Sequence, residues 1–306
     1  MEKLQLKKHQ NQVSAQRGFN FVGFPDDLGV KNVNGRLGAR EAPQSFWEAF
    51  QKIKGQNPVH DRLREMNIIT MGSQIESNYE SAVRVVTQVR QTQSNDVLVA
   101  VGGGHDYAYP WIKGWVNASK TIQKSGKRLR KESNKIGCIN LDAHFDLRDF
   151  QPVMTSGSPF RRLLEEEILD ASRLVEFGIQ THCNSPELWE FAKKLGIKTF
   201  PFSQLRNGRA VPLFKTALKA LRKRCDEILI SVDLDAMSYA FAPGVSAPQA
   251  EGFTGSELLQ MLEVAGSDKK VTSIGFFELA PPLDFQNYTS RLTAQAAWHF
   301  LDAALF

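Results

Sequence analysis

Residues 136–148 read IGCINLDAHFDLR. A largely apolar run, 136–141, leads straight into Asp142, His144 and Asp146, spaced two apart. A short apolar run bounded by polar residues is the pattern of a strand buried on both faces. In extended chain, alternate side chains point the same way, so D-x-H-x-D offers three ligating groups to one side. Packing alone gives no reason to place two acids and a histidine there.

The same device recurs elsewhere in the chain. VLVAV (97–101) leads into GGGHD and His105, EILISV (227–232) into Asp233 and Asp235, and TSIGFF (272–277) into Glu278. With these three runs extended to 96–101, 226–232 and 271–277, the other strand candidates are 19–23, 67–71, 173–179 and 197–200. Helical spacing predicts helices over 78–93, capped by Ser77, and 186–195, capped by Ser185 with Gly196 at the C′ position. Further helices are expected over 212–224, 254–265 and 290–305. Strands alternating with helices, and no repeat or Ser/Gly/Pro linker, predict one α/β domain over 1–306, residues 1–17 being flexible. Its sheet is expected to be mostly parallel, with helices on both faces, as three layers.

Ligands of such sheets bind in the crevice at the carboxyl ends of the strands. Four such ends would gather two imidazoles and five carboxylates. Acids that close push one another toward protonation, so a cation is expected among them. His105, Asp142, His144, Asp146, Asp233 and Asp235 are too many for one ion with an open position. They suit two divalent ions about 3.5–4 Å apart. Oxygen ligands with some imidazole and no thiolate favour Mn2+.

Composition narrows the rest. The 306 residues carry 38 Lys and Arg against 33 Asp and Glu, a net +5, with 10% aromatics, which excludes disordered and collagen-like chains. Cys138, Cys183 and Cys225 are far apart and form no CxxC pair, so neither a disulfide framework nor a zinc knuckle is expected. MEKLQLKKHQ lacks the apolar stretch of a secretory signal, and no apolar run is long enough to cross a bilayer. A soluble cytoplasmic protein with no membrane partner is the expectation. The charged stretch 124–135 (KSGKRLRKESNK) has no aromatics to stack bases, so it reads as a solvated loop and no nucleic-acid partner is expected.

GGGHD, NLDAHFDLR and SVDLDAM, in that order, resemble the arginase/agmatinase/formimidoylglutamase superfamily of binuclear manganese hydrolases, from about residue 19 to the last helix. The resemblance implies an arginase-like domain with an eight-stranded sheet and two Mn2+ per chain. Carried over by motif, the first ion is held by His105, Asp142, Asp146 and Asp233. The second is held by Asp142, His144, Asp233 and Asp235, which makes Asp142 and Asp233 bridges. Glu278 matches the family glutamate that pairs with the cationic substrate head, and Asp146 carries a proton to the leaving amine. Rings of subunits are common in this superfamily, so a homo-oligomer is compatible with the resemblance.

Within the superfamily, 21–43 (FVGFPDDLGVKNVNGRLGAREAP), 178–187 and 238–248 resemble the formimidoylglutamase branch. Arg148 stands where arginases carry an asparagine that contacts the substrate's carboxylate, and an arginine grips a carboxylate bidentately. Ser156, in TSGSPF (155–160), replaces the histidine of arginases and agmatinases. The substrate implied is N-formimidoyl-L-glutamate, a small amidine, cleaved to L-glutamate and formamide. The alternatives are a guanidine-cleaving ureohydrolase, of the agmatinase or guanidino-acid hydrolase type, and a non-catalytic binding relative. Arg36 and Arg40 read as anchors of the 35–43 loop. A structural ion pair competes for Arg148, and Phe160 and Tyr239 either line the pocket or pack.

Overall fold

The computed structural model describes residues 17–125 and 135–306. Residues 1–16 of the expected flexible segment, and 126–134 of the charged stretch, lie outside the described residues. Arg17 is within them, and its guanidinium donates to the Val271 carbonyl at 3.1 Å.

Among the described residues eight strands form: β1 (Phe19–Gly23), β2 (Leu63–Ile68), β3 (Val97–Val101), β4 (Ile136–Leu141), β5 (Leu174–Ile179), β6 (Lys198–Pro201), β7 (Glu227–Asp233) and β8 (Val271–Phe277). They form one sheet in the order β2-β1-β3-β8-β7-β4-β5-β6. Each neighbouring pair is parallel. β3, β8, β7 and β4, scattered along the chain, are therefore consecutive at the centre of the sheet. They are the strands that run into the unusual polar residues.

The helices are α1 (Leu28–Asn32), α2 (Ala42–Phe50), α3 (Ile75–Thr92), α4 (Ala108–Ser125), α5 (Pro159–Glu165), α6 (Pro186–Lys194), α7 (Phe202–Leu205), α8 (Ala210–Arg222), α9 (Gly255–Gly266) and α10 (Tyr288–Ala303). Alternation along each strand feeds two cores. Val97, Val99 and Val101 pack with residues of α2, α8, α9 and α10, whereas Leu98 and Ala100 pack with residues of α3, α4, α5 and α6. Burying a ring such as Phe46 or Phe276 stabilises by roughly 1.5–3 kcal/mol. Layers of this kind on both faces are what the uninterrupted apolar strands require.

The outer strand departs from expectation. The expected strand 67–71 overlaps the observed one only at Asn67 and Ile68; the ladder begins at Leu63 and ends at Ile68. β2 lies at the edge of the sheet and is only partly covered, with Arg64, Asn67 and Ile68 exposed, which hides it from a search for apolar runs. Ser77 does not cap α3: the helix starts at Ile75, and the Ser77 carbonyl instead accepts from the Ser81 hydroxyl. Ser185 occupies the N-cap of α6 as expected, without a side-chain cap bond, and Gly196 takes φ +70° just past its end. α9 begins with a capping box in which the Thr254 hydroxyl accepts from Glu257 N–H and the Glu257 carboxylate accepts from Thr254 N–H. Thr254→Ala should cost about 1 kcal/mol in a urea titration.

Candidate metal centre

Each central strand delivers its polar groups by a local device. After β3 the chain crosses three glycines in tight quarters. A Cβ on Gly103 would sit 1.5 Å from the Asp26 carbonyl oxygen, and one on Gly102 2.2 Å from the Phe277 ring. Only glycine lets this turn lie against the β1 loop and β8, and His105 then points inward, 1% exposed. After β4, Asp142, His144 and Asp146 alternate with the fully buried Ala143, Phe145 and Leu147, although the chain bends there and Asp146 is left-handed. Asn184 clamps this segment, accepting from Phe145 N–H at 2.9 Å and donating to the Ala143 carbonyl at 2.9 Å. At the end of β7, Asp233 Oδ1 accepts from Asp235 N–H at 2.8 Å, and Leu234 turns into the core between the two acids.

The groups converge. His105 Nδ1 lies 2.8 Å from Asp146 Oδ2, 3.0 Å from Asp233 Oδ2 and 3.1 Å from Asp142 Oδ2. None of the three is aligned as a hydrogen bond, and Nδ1 has no hydrogen-bond partner. His144 Nδ1 lies 3.0 Å from Asp235 Oδ2 and 3.6 Å from Asp142 Oδ1, and Asp235 Oδ1 is buried without a partner. Two groups of potential ligands result: His105, Asp142, Asp146 and Asp233; and Asp142, His144 and Asp235. Asp142 belongs to both. Asp233 falls in the first group only.

Lone pairs aimed at a shared point, in a buried site with more carboxylates than imidazoles, fit hard divalent cations. The electrostatics agree. Burial disfavours an ionised Asp142, yet His105 and His144 beside it hold it below the usual carboxylate range. Burial and the charge of Asp142 raise Asp146 to about 6. Burial, then Asp235 and Asp142, push Asp233 well above its ordinary value. Burial opposes charge on His105, but the surrounding carboxylates of Asp233, Asp142 and Asp146 raise it well above the ordinary imidazole value. Without a cation, the site compensates its acids only by holding protons.

Glu278 follows β8. It lies 4% exposed, and its Oε1 accepts from His105 N–H at 2.9 Å. Burial raises its carboxyl to about 8. Asp146 and Glu278 both adopt left-handed backbone, with φ of +52° and +63°. Such conformations cost non-glycine residues of order 1–3 kcal/mol and gather where surrounding structure fixes a functional side chain.

A cavity of about 280 Å3 opens over these groups, lined by His144, Asp146, Arg148, Ser156, Asp233, Asp235 and Glu278 together with Val33–Arg36, Gly157 and Ser246–Ala247. A larger hollow of about 720 Å3, at the β6 edge between α6 and α8, holds none of the potential metal ligands. Arg36 and Arg40 are anchors, as expected. Arg36 donates to the carbonyls of Val245 and Ser246, and Arg40 pairs with Asp27 at 2.7 Å. Arg148, by contrast, is exposed at the cavity and has no carboxylate partner among the described residues. Phe160 packs edge-on against His105, whereas Tyr239 is exposed and off the cavity lining. The three cysteines are free.

Sequence reading passed over the polar residues inside the central strands. Ser231 Oγ lies 2.8 Å from His105 Nε2, fixing the ring so that Nδ1 faces the acids. Asn140 Nδ2 donates to Asp142 Oδ2 at 3.1 Å and to Glu176 Oε2 at 3.0 Å. Asn140 and Ser231 each stand two places before a motif acid, a spacing that could have found them, whereas Glu176 has no such signal.

Central parallel strands ending in two imidazoles and five carboxylates place the chain in a known class of hydrolases. The sequence model of the Arginase family matches residues 17–302, and the chain belongs to that family. A formimidoylglutamase of Staphylococcus carnosus is 30% identical over 295 residues, covering 96% of this chain and 89% of the relative. One of Nocardia farcinica is 30% identical over 276 residues, covering 90% and 83%. The crystal structure of formimidoylglutamase from Bacillus subtilis superposes with TM-score 0.82 at 25% identity, covering 95% of this chain and 88% of that one. Trypanosoma cruzi formiminoglutamase, solved with two Mn2+ ions, shares the fold at TM-score 0.81 and 24% identity, with 94% of each chain covered. The chain is accordingly a hydrolase acting on C–N bonds. No helix among the described residues is long and apolar enough to cross a membrane.

Proposed function

We propose that this chain hydrolyses N-formimidoyl-L-glutamate to L-glutamate and formamide, using two Mn2+. The observation that carries the choice of substrate is Arg148: a guanidinium on the cavity lining, with no carboxylate of its own, beside the acids that would face an amidinium. Arg36, also on the lining, is spent on backbone carbonyls. The formimidoylglutamase relatives support the same reading.

His105, Asp142, Asp146 and Asp233 would hold one ion. Asp142, His144 and Asp235 would hold the other, with Asp233 joining them by motif. A divalent pair, when bound, draws a nucleophile from water near neutral pH. The remaining work falls to side chains. Glu278 Oε1 is tied to His105 N–H, leaving Oε2 to accept from the cationic formimidoyl head and orient its carbon. Asp146, on the cavity wall beside the reacting carbon, would take up the proton released by the attacking water and hand it to the departing amine of glutamate. Arg148 takes a carboxylate at the other end of the substrate, and Ser156 lines the wall between them.

The test supplies the Mn2+-loaded protein with N-formimidoyl-L-glutamate and, separately, with agmatine. Formamide from the first and no urea from the second is the expected result; urea alone overturns the choice of substrate. Arg148→Leu should raise KM for the glutamate-bearing substrate on the order of 10- to 100-fold, the range of a charge-assisted hydrogen-bonded pair. The same variant should cleave an amidine lacking carboxylates as well as the parent does.

A further inference from the structure

One step before the motif acids, a row of polar residues crosses the sheet. The register sets Glu176 of β5 beside Asn140 of β4, and Asn140 beside Ser231 of β7. Ser231 holds His105 from behind. Asn140 and Glu176 do not pack as a core pair would. Both are fully buried, and among the described residues Glu176 Oε1 and Asn140 Oδ1 have no hydrogen-bond partner. Burying a carboxylate with an oxygen unmet is costly, and a leucine at this place in β5 would avoid the cost. What the carboxylate does provide is an acceptor, Oε2, for one hydrogen of the Asn140 amide, while the other hydrogen goes to Asp142 Oδ2. An amide held at both hydrogens cannot rotate away from Asp142. Asp142 is the one residue common to both groups of ligands.

We infer that Glu176 is a positioning residue of the metal centre: through Asn140 it fixes the carboxylate of Asp142, and so sets the affinity for divalent metal. The inference rests on the metal-centre reading above. Outer partners of metal ligands typically change affinity 10- to 100-fold when removed.

The experiment titrates Mn2+ into the chelator-stripped full chain by calorimetry and follows thermal unfolding of the chelated protein in parallel. Glu176→Leu should weaken Mn2+ binding by about tenfold or more. Glu176→Gln, which keeps an oxygen facing Asn140, should stay within about threefold of the parent. The chelated Glu176→Leu protein should melt no lower than the parent, because a buried acid has been removed. A merely structural residue would lower that melting temperature and leave metal affinity alone. Should Glu176→Leu not fold, Asn140→Ser removes the same link from its other end, with the same loss of affinity expected. Parental affinity in the leucine or serine variant overturns the inference, as does a glutamine variant as weak as the leucine one. A parent chain that takes up no Mn2+ overturns the metal-centre reading itself.

Discussion

Mn2+ added to the chelator-stripped protein is expected to raise its melting temperature on the order of 10 °C, and Asp142→Ala to abolish that response. A ligand at a thousand times its Kd stabilises the folded state by about 4 kcal/mol per site. In a chain of this length each kcal/mol moves the midpoint by about 2 °C. Asp142 contributes an oxygen to each group of ligands, so its loss should release both ions, where loss of Asp235 should release one. Activity of Asp142→Ala should fall at least a thousandfold, since several kcal/mol of charge stabilisation leave with the metal. The apo protein tells the complementary story. His105 and His144 hold Asp142 ionised, so the chelated Asp142→Ala variant should melt below the chelated parent at neutral pH. Metal binding that survives the substitution would sink the proposed ligand set.

The pH dependence has a definite sign. Asp146 is raised to about 6 and Glu278 to about 8, each chiefly by burial, and His105 and His144 are raised by the carboxylates around them against the opposing effect of burial. A group whose folded pKa exceeds its unfolded one binds more protons when folded. Its contribution is present at low pH and is lost as pH rises through the folded value. Chelated protein should therefore lose stability from about pH 4 up to about pH 8 in thermal melts. Mn2+ displaces those protons, so its protection should grow over the same interval.

The central sheet was legible because its strands are buried on both faces. VLVAV and EILISV admit no other economical arrangement, and β3, β4, β7 and β8 lie within a residue of where apolar runs place them. β2 was misplaced because an outer strand is only partly covered and carries exposed polar residues such as Arg64 and Asn67, and its pairing with β1 also shifts register between Phe19 and Phe21. The metal motifs were legible for the complementary reason: ionisable groups at buried strand ends have no packing rationale. Ser231 and Asn140 escaped notice, although each stands two places before a motif acid, because a single polar residue in an apolar run also fits a tolerated core group; Glu176 carries no spacing signal. Their meaning lies in cross-strand register, which only the sheet order β5-β4-β7 supplies. The clamp by Asn184 is equally invisible, since it joins a loop after β5 to one after β4.

Glu278→Gln should lower kcat/KM by about a hundred- to a thousandfold while leaving Mn2+ stoichiometry at the parental value. The first half follows from charge. Glutamine keeps the shape but replaces an acceptor oxygen with an NH2, which would face the N–H groups of a cationic amidine donor to donor. Breaking a buried hydrogen-bonded charge pair in this way costs about 3–4 kcal/mol. The second half follows from placement: Glu278 lies on the cavity wall but in neither group of potential ligands. Its link to the centre runs through the His105 N–H, which a glutamine oxygen can still accept. The left-handed backbone at Glu278 and its raised carboxyl mark a side chain held ready for a cation it does not otherwise have. Burial already keeps the carboxyl largely protonated in the metal-free protein, so the neutral glutamine should leave the chelated variant about as stable as the parent at neutral pH. Calorimetric Mn2+ counts beside steady-state rates decide the matter: loss of metal in Glu278→Gln would make it a ligand, and parental kcat/KM would remove it from the reaction.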